Sequence, residues 1–394
     1  MIKTGKPIHL VLTQDKSRAL KRGYPWIFAH QLTGLPEAES GAIAIVKDRS
    51  GEILAKGFYD PNSHLAFRAL TLEKENLDSE LVRNRIVSAL KFRADVFSES
   101  TTGYRLINGE GDKLPGLIVD RYGEVAVMQY DGAGPRSFYN HKAIADEILK
   151  SGLVKSVYFK PRHNDDQKGC VLAGSLPTLE VEFLENNARF SVNIKDGQKT
   201  GFFLDQRENR FKIRSVSKGA SVLNLFSYTG GFSVNAGLGG ASAVTSVDLA
   251  KPAIEAAGIN WDLNNLKKDA HAGIAIDAFK FIEEARAGKR TWDIVIVDPP
   301  SFTHSEESLE TARSSYHALI TSSIGLVKRG GLLAASSCTS RVNPVMFLEL
   351  CEKALSSAKR QGHILVINGQ PEDHPFPTAC QELRYLKFIL IRVL

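Results

Sequence analysis

The sequence predicts an α/β protein whose second half is a doubly wound parallel sheet, preceded by a small β-rich domain and a central α+β domain. Three observations carry this. From residue 191 onward, short apolar runs alternate with helical stretches, the rhythm of strand–helix–strand units. The run Asp293-Ile294-Val295-Ile296-Val297 is almost wholly β-branched, as a central parallel strand covered on both faces requires. The first 72 residues hold only short strand-like runs divided by Gly, Pro, Asp and Ser.

Taken in order, residues 1–72 contain the runs His9–Leu12, Ala42–Val46 and Ile53–Phe58, expected to form a small barrel-like module. Between them Lys16, Arg18, Lys21 and Arg22 precede Gly23-Tyr24-Pro25-Trp26-Ile27-Phe28. Cations beside an aromatic cluster suit an RNA contact. Here Trp26 and Phe28 are expected in the core and the four cations on RNA. Residues 73–190 begin with a helix over 77–97, with apolar positions Leu81, Val82, Ile86, Ala89, Leu90 and Ala94. Strands near Tyr104–Ile107, Gly116–Asp120 and Val125–Met128 follow, then a helix around Phe138–Leu149 and strands at Val157–Phe159 and Glu180–Leu184. Residues 191–394 supply candidate strands Ser221–Phe226, Ala243–Asp248, Ala272–Ile276, Asp293–Val297, Gly331–Ser336, Gly362–Asn368 and Tyr385–Val393. Helices such as Lys251–Asn260 and Ser308–Val327 lie between them.

A chain of 394 residues is long enough for two or three domains. Its composition, 43% hydrophobic and 24% charged, excludes a disordered chain, and no apolar run reaches the length of a membrane span. The start lacks the apolar stretch of a signal peptide, so a cytoplasmic protein is expected. Four scattered cysteines, Cys170, Cys338, Cys351 and Cys380, form neither a disulfide framework nor a zinc motif, and no metal is expected. The net charge of +6 divides as +3 over residues 1–75, −1 over 76–190 and +4 over 191–394, mild basicity that suits a polyanion.

The chemistry is expected at strand ends. The strand Val222–Phe226, with Asn224 in it, enters the turn Ser227-Tyr228-Thr229-Gly230-Gly231, where backbone amides can approach a ligand at a helix start. The next strand ends at Asp248, 18 residues after Gly230, placed for a ribose diol. A third ends at Asp277-Ala278-Phe279, where a carboxylate and a ring can hold adenine. The turn is not Gly-x-Gly-x-x-Gly, which removes the close pyrophosphate cradle and makes a nicotinamide dehydrogenase the poorest fit. Adenosine without diphosphate points to S-adenosylmethionine. Upstream, Lys199–Arg207 is too polar for a linker. It reads as a lid over the methionine end, with Phe203 and Asp205 on the cofactor, or as Asp205 capping a helix Gln206–Val216. The fourth strand runs into Asp298-Pro299-Pro300-Ser301-Phe302, two prolines that force the chain off the sheet beside a carboxylate and a ring. Cys338, 40 residues after Asp298, ends the fifth strand. By itself it is a core cysteine. Next to such a site it is a nucleophile that adds to C6 of a pyrimidine and makes C5 nucleophilic, with Arg341 as the local cation. Asp298 then serves the N3/N4 edge of a base presented out of its stack.

Together these residues resemble the PUA-containing class I methyltransferases that make 5-methylcytosine in large-subunit ribosomal RNA. The resemblance rests on Gly23–Phe28, Tyr104–Asn108 with Leu114–Leu117, Thr200–Arg207, Asn224–Phe232, Asp298–Phe302, Ser337-Cys338 and Asp373-His374-Pro375. It implies a PUA domain, a central domain and a Rossmann-like methyltransferase domain. It implies Cys338 as nucleophile, and Asn224, Asp248, Asp277 and Asp298 lining the cofactor and target pocket; the turn residues Phe226, Ser227, Tyr228 and Gly230, with Ala278 and Pro299, fall on the same pocket. RNA is the implied partner and no membrane is. Nothing in the chain decides between a monomer and a homodimer. Some RNA cytosine methyltransferases carry a second cysteine in the Asp-Pro motif; here it reads Asp298-Pro299-Pro300-Ser301. The acceptor of the C5 proton stays open among Asp298, His304 and water, and His374 is either functional or part of a capped loop. Two other readings remain: methylation of another RNA base atom with Cys338 structural, and a non-catalytic RNA-binding assembly factor.

Overall fold

The structure, a computed structural model, describes residues 1–13, 16–48, 50–72, 75–162, 168–302 and 309–394. Two compact units emerge, each assembled from three pieces of chain. The first takes Met1–Leu184, Val192–Leu204 and Glu372–Leu383; the second takes Glu185–Ser191, Asp205–Pro371 and Arg384–Leu394.

In the first unit, strands Ile8–Val11, Ala42–Lys47, Ile53–Tyr59, Phe67–Thr71 and Trp26–Ile27 form one sheet in that order. Its inward residues, among them Leu10, Ala44, Val46, Leu54 and Phe67, make a core with Ile27. Trp26 and Phe28 are not in that core. In a two-residue edge strand only one side chain points inward, and Ile27 takes that place, leaving Trp26 and Phe28 half-exposed. The Trp26 indole instead donates to Glu110 Oε1 at 2.8 Å. A second sheet orders Cys170–Gly174, Ser156–Phe159, Val125–Tyr130, Leu117–Tyr122 and Gly103–Asn108. The helix Ser79–Val96 starts where Asp78 accepts from the amides of Glu80 and Leu81 and buries Val82, Ile86, Ala89, Leu90 and Arg93. Arg93 is fully buried. It pairs with both oxygens of Asp112 at 2.6 and 2.8 Å and donates to Asp373 O at 2.9 Å.

The second unit is a seven-stranded sheet. Its strands are β1 (Ser221–Leu225), β2 (Ala243–Asp248), β3 (His271–Ala275), β4 (Trp292–Val297), β5 (Val327–Ser337), β6 (Gly362–Asn368) and β7 (Lys387–Val393), ordered β3-β2-β1-β4-β5-β7-β6. β1 to β5 run parallel; β7 is antiparallel to both neighbours. The helices are α1 (Arg207–Val216), α2 (Gly231–Leu238), α3 (Lys251–Leu263), α4 (Ala278–Ala287), α5 (Leu309–Ile324) and α6 (Pro344–Ser357). Alternation along the strands divides them between two cores. Val222, Ile294 and Ile296 pack with Ile213, Phe232 and Trp261 of α1 to α3. Leu223, Leu225, Val295 and Val297 pack with Phe281, Leu319 and Phe347 of α4 to α6. This is the doubly wound sheet expected from the sequence. Two boundaries differ. α5 stops at Ile324, because Gly325 ends it and Val327 already pairs with Trp292 across a bulge that takes in Gly330 at φ +78°. β7 begins at Lys387, which leaves Tyr385 outside the ladder.

Candidate active site

The strand ends of the second unit gather most of the expected residues. After β1 the chain turns sharply, with Phe226 at φ +57° and Tyr228 at φ +46°. Non-glycine residues adopt this region at a cost of about 1 kcal/mol each, and such strain collects at binding sites. Gly230 follows at φ +78°, where a Cβ would also lie 2.8 Å from Ala257 Cβ, so only glycine fits. The turn is held from β2: Asp248 Oδ2 accepts from Tyr228 N at 2.8 Å and Oδ1 from Ala250 N at 3.0 Å. Beneath it Asn224 donates to Ser233, which bonds Ser246, which bonds His271. Burial of that imidazole lowers its basicity.

The turn also presents buried oxygens that nothing among the described residues satisfies: Asn224 Oδ1, Ser227 Oγ and Thr229 Oγ1. Buried polar atoms seldom stay unpaired, so a cluster of three beside Asp248 fits a polar ligand such as an amino-acid-bearing nucleoside. Across the strand ends, Asp277 caps α4 by accepting from Lys280 N at 3.0 Å, with Ala278 buried behind it. The Phe279 ring, 41% exposed, stands edge-on to Phe226 at 6.4 Å between centroids. A flat ring system has an apolar wall there.

At the β4 end, Asp298 Oδ1 accepts from Gln206 Nε2 at 2.9 Å, and the same amide reaches Ser336 Oγ at 3.3 Å. Asn209 donates to Gln206 Oε1 at 2.6 Å, which fixes the orientation of that amide. Gln206 thus ties the ends of β4 and β5, adjacent through Val297 and Ala335, to the start of α1. Pro299 is buried beside Asp298. Asp205 does not cap the helix. A 3₁₀ turn, Leu204–Gln206, precedes α1, so Gln206 occupies the cap position and Asp205 Oδ2 accepts from the Tyr385 hydroxyl at 2.7 Å.

Cys338 leaves β5 half-buried. The residue after it is held firmly. Thr339 Oγ1 bonds the Tyr316 hydroxyl at 2.9 Å and Ser301 Oγ at 3.1 Å, and Thr339 N donates to Ser337 Oγ at 3.3 Å. Burial pushes the Tyr316 phenol up to about 12, with the charges of Cys338 and Asp298 acting in the same direction. Lys387 brings a cation here. Its β7 position pairs with Ser337, and its buried ammonium donates to Thr339 O at 2.5 Å and Tyr385 O at 2.7 Å. Burial lowers it to about 8, and Cys338 opposes that shift. Arg341, the cation expected from the sequence, is solvent-exposed.

Gln206, Tyr316, Thr339, Tyr385 and Lys387 were not among the expected site residues. The signal for Lys387 was present: a lone lysine heading the apolar run Phe388–Ile391. Other expected residues lie in the first unit. Phe203 belongs to the segment Val192–Leu204, its ring 4.4 Å from Lys199 Nζ. Lys16 precedes the short helix Ser17–Lys21 and lines a small cavity with Tyr24 and Trp26; Arg18, Lys21 and Arg22 are exposed, Lys21 lying 3.9 Å from Glu52. His374 is buried, with Nδ1 3.1 Å from Asp373 Oδ1, while Asp373 Oδ2 accepts from Arg105 N at 2.8 Å. His304 lies outside the described residues. Among the described residues no cluster of His, Cys, Asp and Glu could hold a metal, and no helix is long and apolar enough to cross a membrane.

Comparison with known proteins adds an independent line. A family model for S-adenosylmethionine-dependent methyltransferases matches residues 150–380, and one for a PUA-like domain matches residues 10–72. The chain is 34% identical over 399 residues to the ribosomal RNA large subunit methyltransferase I of Vibrio cholerae, covering 98% of this chain and 99% of that protein. It is 34% identical over 390 residues to the ribosomal RNA large subunit methyltransferase of Deinococcus radiodurans, covering 95% and 94%. Among solved structures, one described as a SAM-dependent methyltransferase from Streptococcus mutans superposes with a TM-score of 0.84 at 27% identity, covering 98% of this chain and all of that one. A crystal structure of a methyltransferase complexed with SAH gives a TM-score of 0.85 at the same identity and coverage.

Proposed function

The chain belongs to the family of S-adenosylmethionine-dependent methyltransferases with a PUA-like domain, and from this we propose that it methylates C5 of a cytosine in large-subunit ribosomal RNA. S-adenosylmethionine is its cofactor and, when bound, supplies an electrophilic methyl group. The observation that carries the cytosine-C5 reading is the strand-end pair of Cys338 and Asp298, with the buried Lys387 ammonium at the cysteine.

The residues that would hold the cofactor are those of the β1–α2 turn. Asn224, Ser227 and Thr229 offer oxygens to its polar end, Asp248 suits the ribose, and Phe226 with Asp277, Ala278 and Phe279 suits the adenine. Tyr228 and Gly230 shape the turn, Pro299 bounds the pocket, and Asp205 serves the methionine end. In the target pocket, the Cys338 thiolate adds to C6 of the cytosine. The S–C bond forms as the C5=C6 pair moves to C5, which takes the methyl group. Loss of the C5 proton then returns the pair to C5=C6 and breaks the S–C bond, restoring the thiolate. Lys387 favours the ionised thiol because a nearby cation stabilises it. Asp298, oriented by Gln206, addresses the N3/N4 edge.

We read residues 1–72 as a PUA-like RNA-binding domain, 73–190 as a central α+β domain and 191–394 as the methyltransferase domain, with Lys16, Arg18, Lys21 and Arg22 on RNA. A cytoplasmic setting and a homodimer are compatible with this reading. Incubation with RNA containing 5-fluorocytidine tests it. A stable protein–RNA adduct that maps to Cys338 and vanishes in Cys338→Ala is expected, with SAH binding retained. Methyl transfer by Cys338→Ala at the wild-type rate would instead favour another base atom, with the cysteine structural.

A further inference from the structure

The first unit holds a feature that the methyl-transfer chemistry does not use. A broad cleft of about 1590 Å³ lies between the end of strand Ser156–Phe159, the start of strand Cys170–Gly174 and the turn 195–199. Five cations line it: Lys160, Arg162, Lys168, Lys195 and Lys199; Asp196 is the one carboxylate among the described lining residues. The intervening residues 163–167 add Asp165 and Asp166 to the sequence, which leaves the region net positive.

We infer that this cleft is a second RNA-binding surface, which carries the sugar-phosphate backbone of the substrate RNA; the inference rests on the reading of RNA as substrate. Its size argues against a metabolite site, since small-molecule pockets run to roughly 300–1,000 Å³. Cations spread along an open cleft match a chain of phosphates better than a single anion. Lys160 is the least solvated of them. It is 7% exposed, burial lowers its ammonium to about 8, and it donates to Gly197 O. An arriving phosphate offsets that desolvation. Two of the cations are braced. Arg162 pairs with Asp131 at 2.7 Å, and Asp131 also holds Arg68 at 2.9 Å, while Lys199 stands over the Phe203 ring. Lys168, just before strand Cys170–Gly174, and Lys195, in the turn 195–199, complete the set. Cys170 lines the same cleft and is exposed, whereas Cys351 and Cys380 are buried, so its thiol reports on occupancy.

The test uses the full-length protein and a transcript of large-subunit ribosomal RNA. In Lys168→Glu/Lys195→Glu, affinity for the transcript is expected to fall at least tenfold at 0.1 M salt. The slope of log affinity against log salt should drop by about 1.4, the value for two lost single-strand phosphate contacts. SAH affinity should stay unchanged, which separates lost RNA contact from misfolding. Maleimide labelling of Cys170, read by peptide mapping, should slow when the transcript is added to the wild type. If the wild type binds the transcript while Cys170 labels at the same rate and the double variant keeps affinity and slope, the cleft is not an RNA surface, although the methyltransferase reading stands. If the wild type neither binds nor methylates ribosomal RNA, both fall.

Discussion

Lys387 offers the sharpest perturbation, because the structure gives both an energetic and a catalytic consequence for one ammonium. Its ordinary value of 10.5 is lowered to about 8, first by burial, with Cys338 acting the other way. At about 1.4 kcal/mol per pH unit, the gap corresponds to about 3 kcal/mol. Between pH 8 and 10.5 the unfolded chain keeps a proton that the folded chain has lost, so stability rises with pH across that window. Below pH 8 the full penalty is present and constant. Lys387→Met cannot titrate. The stability of the wild type relative to this variant should therefore climb by up to about 3 kcal/mol from pH 7.5 to 10.5. Lost hydrogen bonds to Thr339 O and Tyr385 O contribute an offset that does not depend on pH. Urea unfolding of both proteins at several pH values measures the difference. Activity should move too: without the cation, the acid limb of the methyl-transfer rate shifts to higher pH, and adduct formation with 5-fluorocytidine RNA slows. Lys387→Arg should recover part of that shift. Parallel stability curves would refute the buried charge, and an unmoved acid limb would refute its role on Cys338.

Other substitutions probe the frame around the sites. Gly111→Ala places a Cβ 1.9 Å from Pro375 O, so the backbone must shift; a loss of about 1–3 kcal/mol is expected by denaturant unfolding. Arg93→Met strands the Asp112 carboxylate and should cost about 3–5 kcal/mol, far more than an exposed pair such as Lys155–Glu124. Tyr385→Phe removes the hydroxyl that holds Asp205; SAH affinity measured by calorimetry should fall several-fold, whereas unchanged affinity would detach Asp205 from the cofactor. Gln206→Leu frees Asp298 from its amide donor and should lower methyl transfer at least tenfold with little effect on SAH binding.

Sequence periodicity reaches some of this architecture and misses the rest for identifiable reasons. The β-branched run of β4, its proline exit and the Gly230 turn were legible because each is a local property: a covered strand, a stiff departure, a left-handed position. Lys387 was visible as a lone lysine but its role was not, since that depends on antiparallel pairing with Ser337, 50 residues earlier, and register is not written in a single strand. Arg341, three residues from Cys338, was the natural local choice, whereas Lys387 arrives from a distant strand. Trp26 and Phe28 were misplaced because hydrophobicity alone does not reveal which side of a two-residue edge strand faces inward. Asp205 had the right residue type for a cap, but a 3₁₀ turn moved the helix start by one position.

The Asp373 contacts set a limit on how this protein can be made. Arg93 and Arg105 are bonded from residues 280 and 268 positions later in the chain, and neither unit is a continuous stretch of sequence. During synthesis most of the first unit leaves the ribosome long before the segment Glu372–Leu383 that completes it. Until then Arg93 lacks its Asp373 acceptor and Gly111 lacks its Pro375 neighbour, so the first unit must wait for that segment. Deletion of residues 372–394 removes Asp373 and β7 together and would thus disable both units.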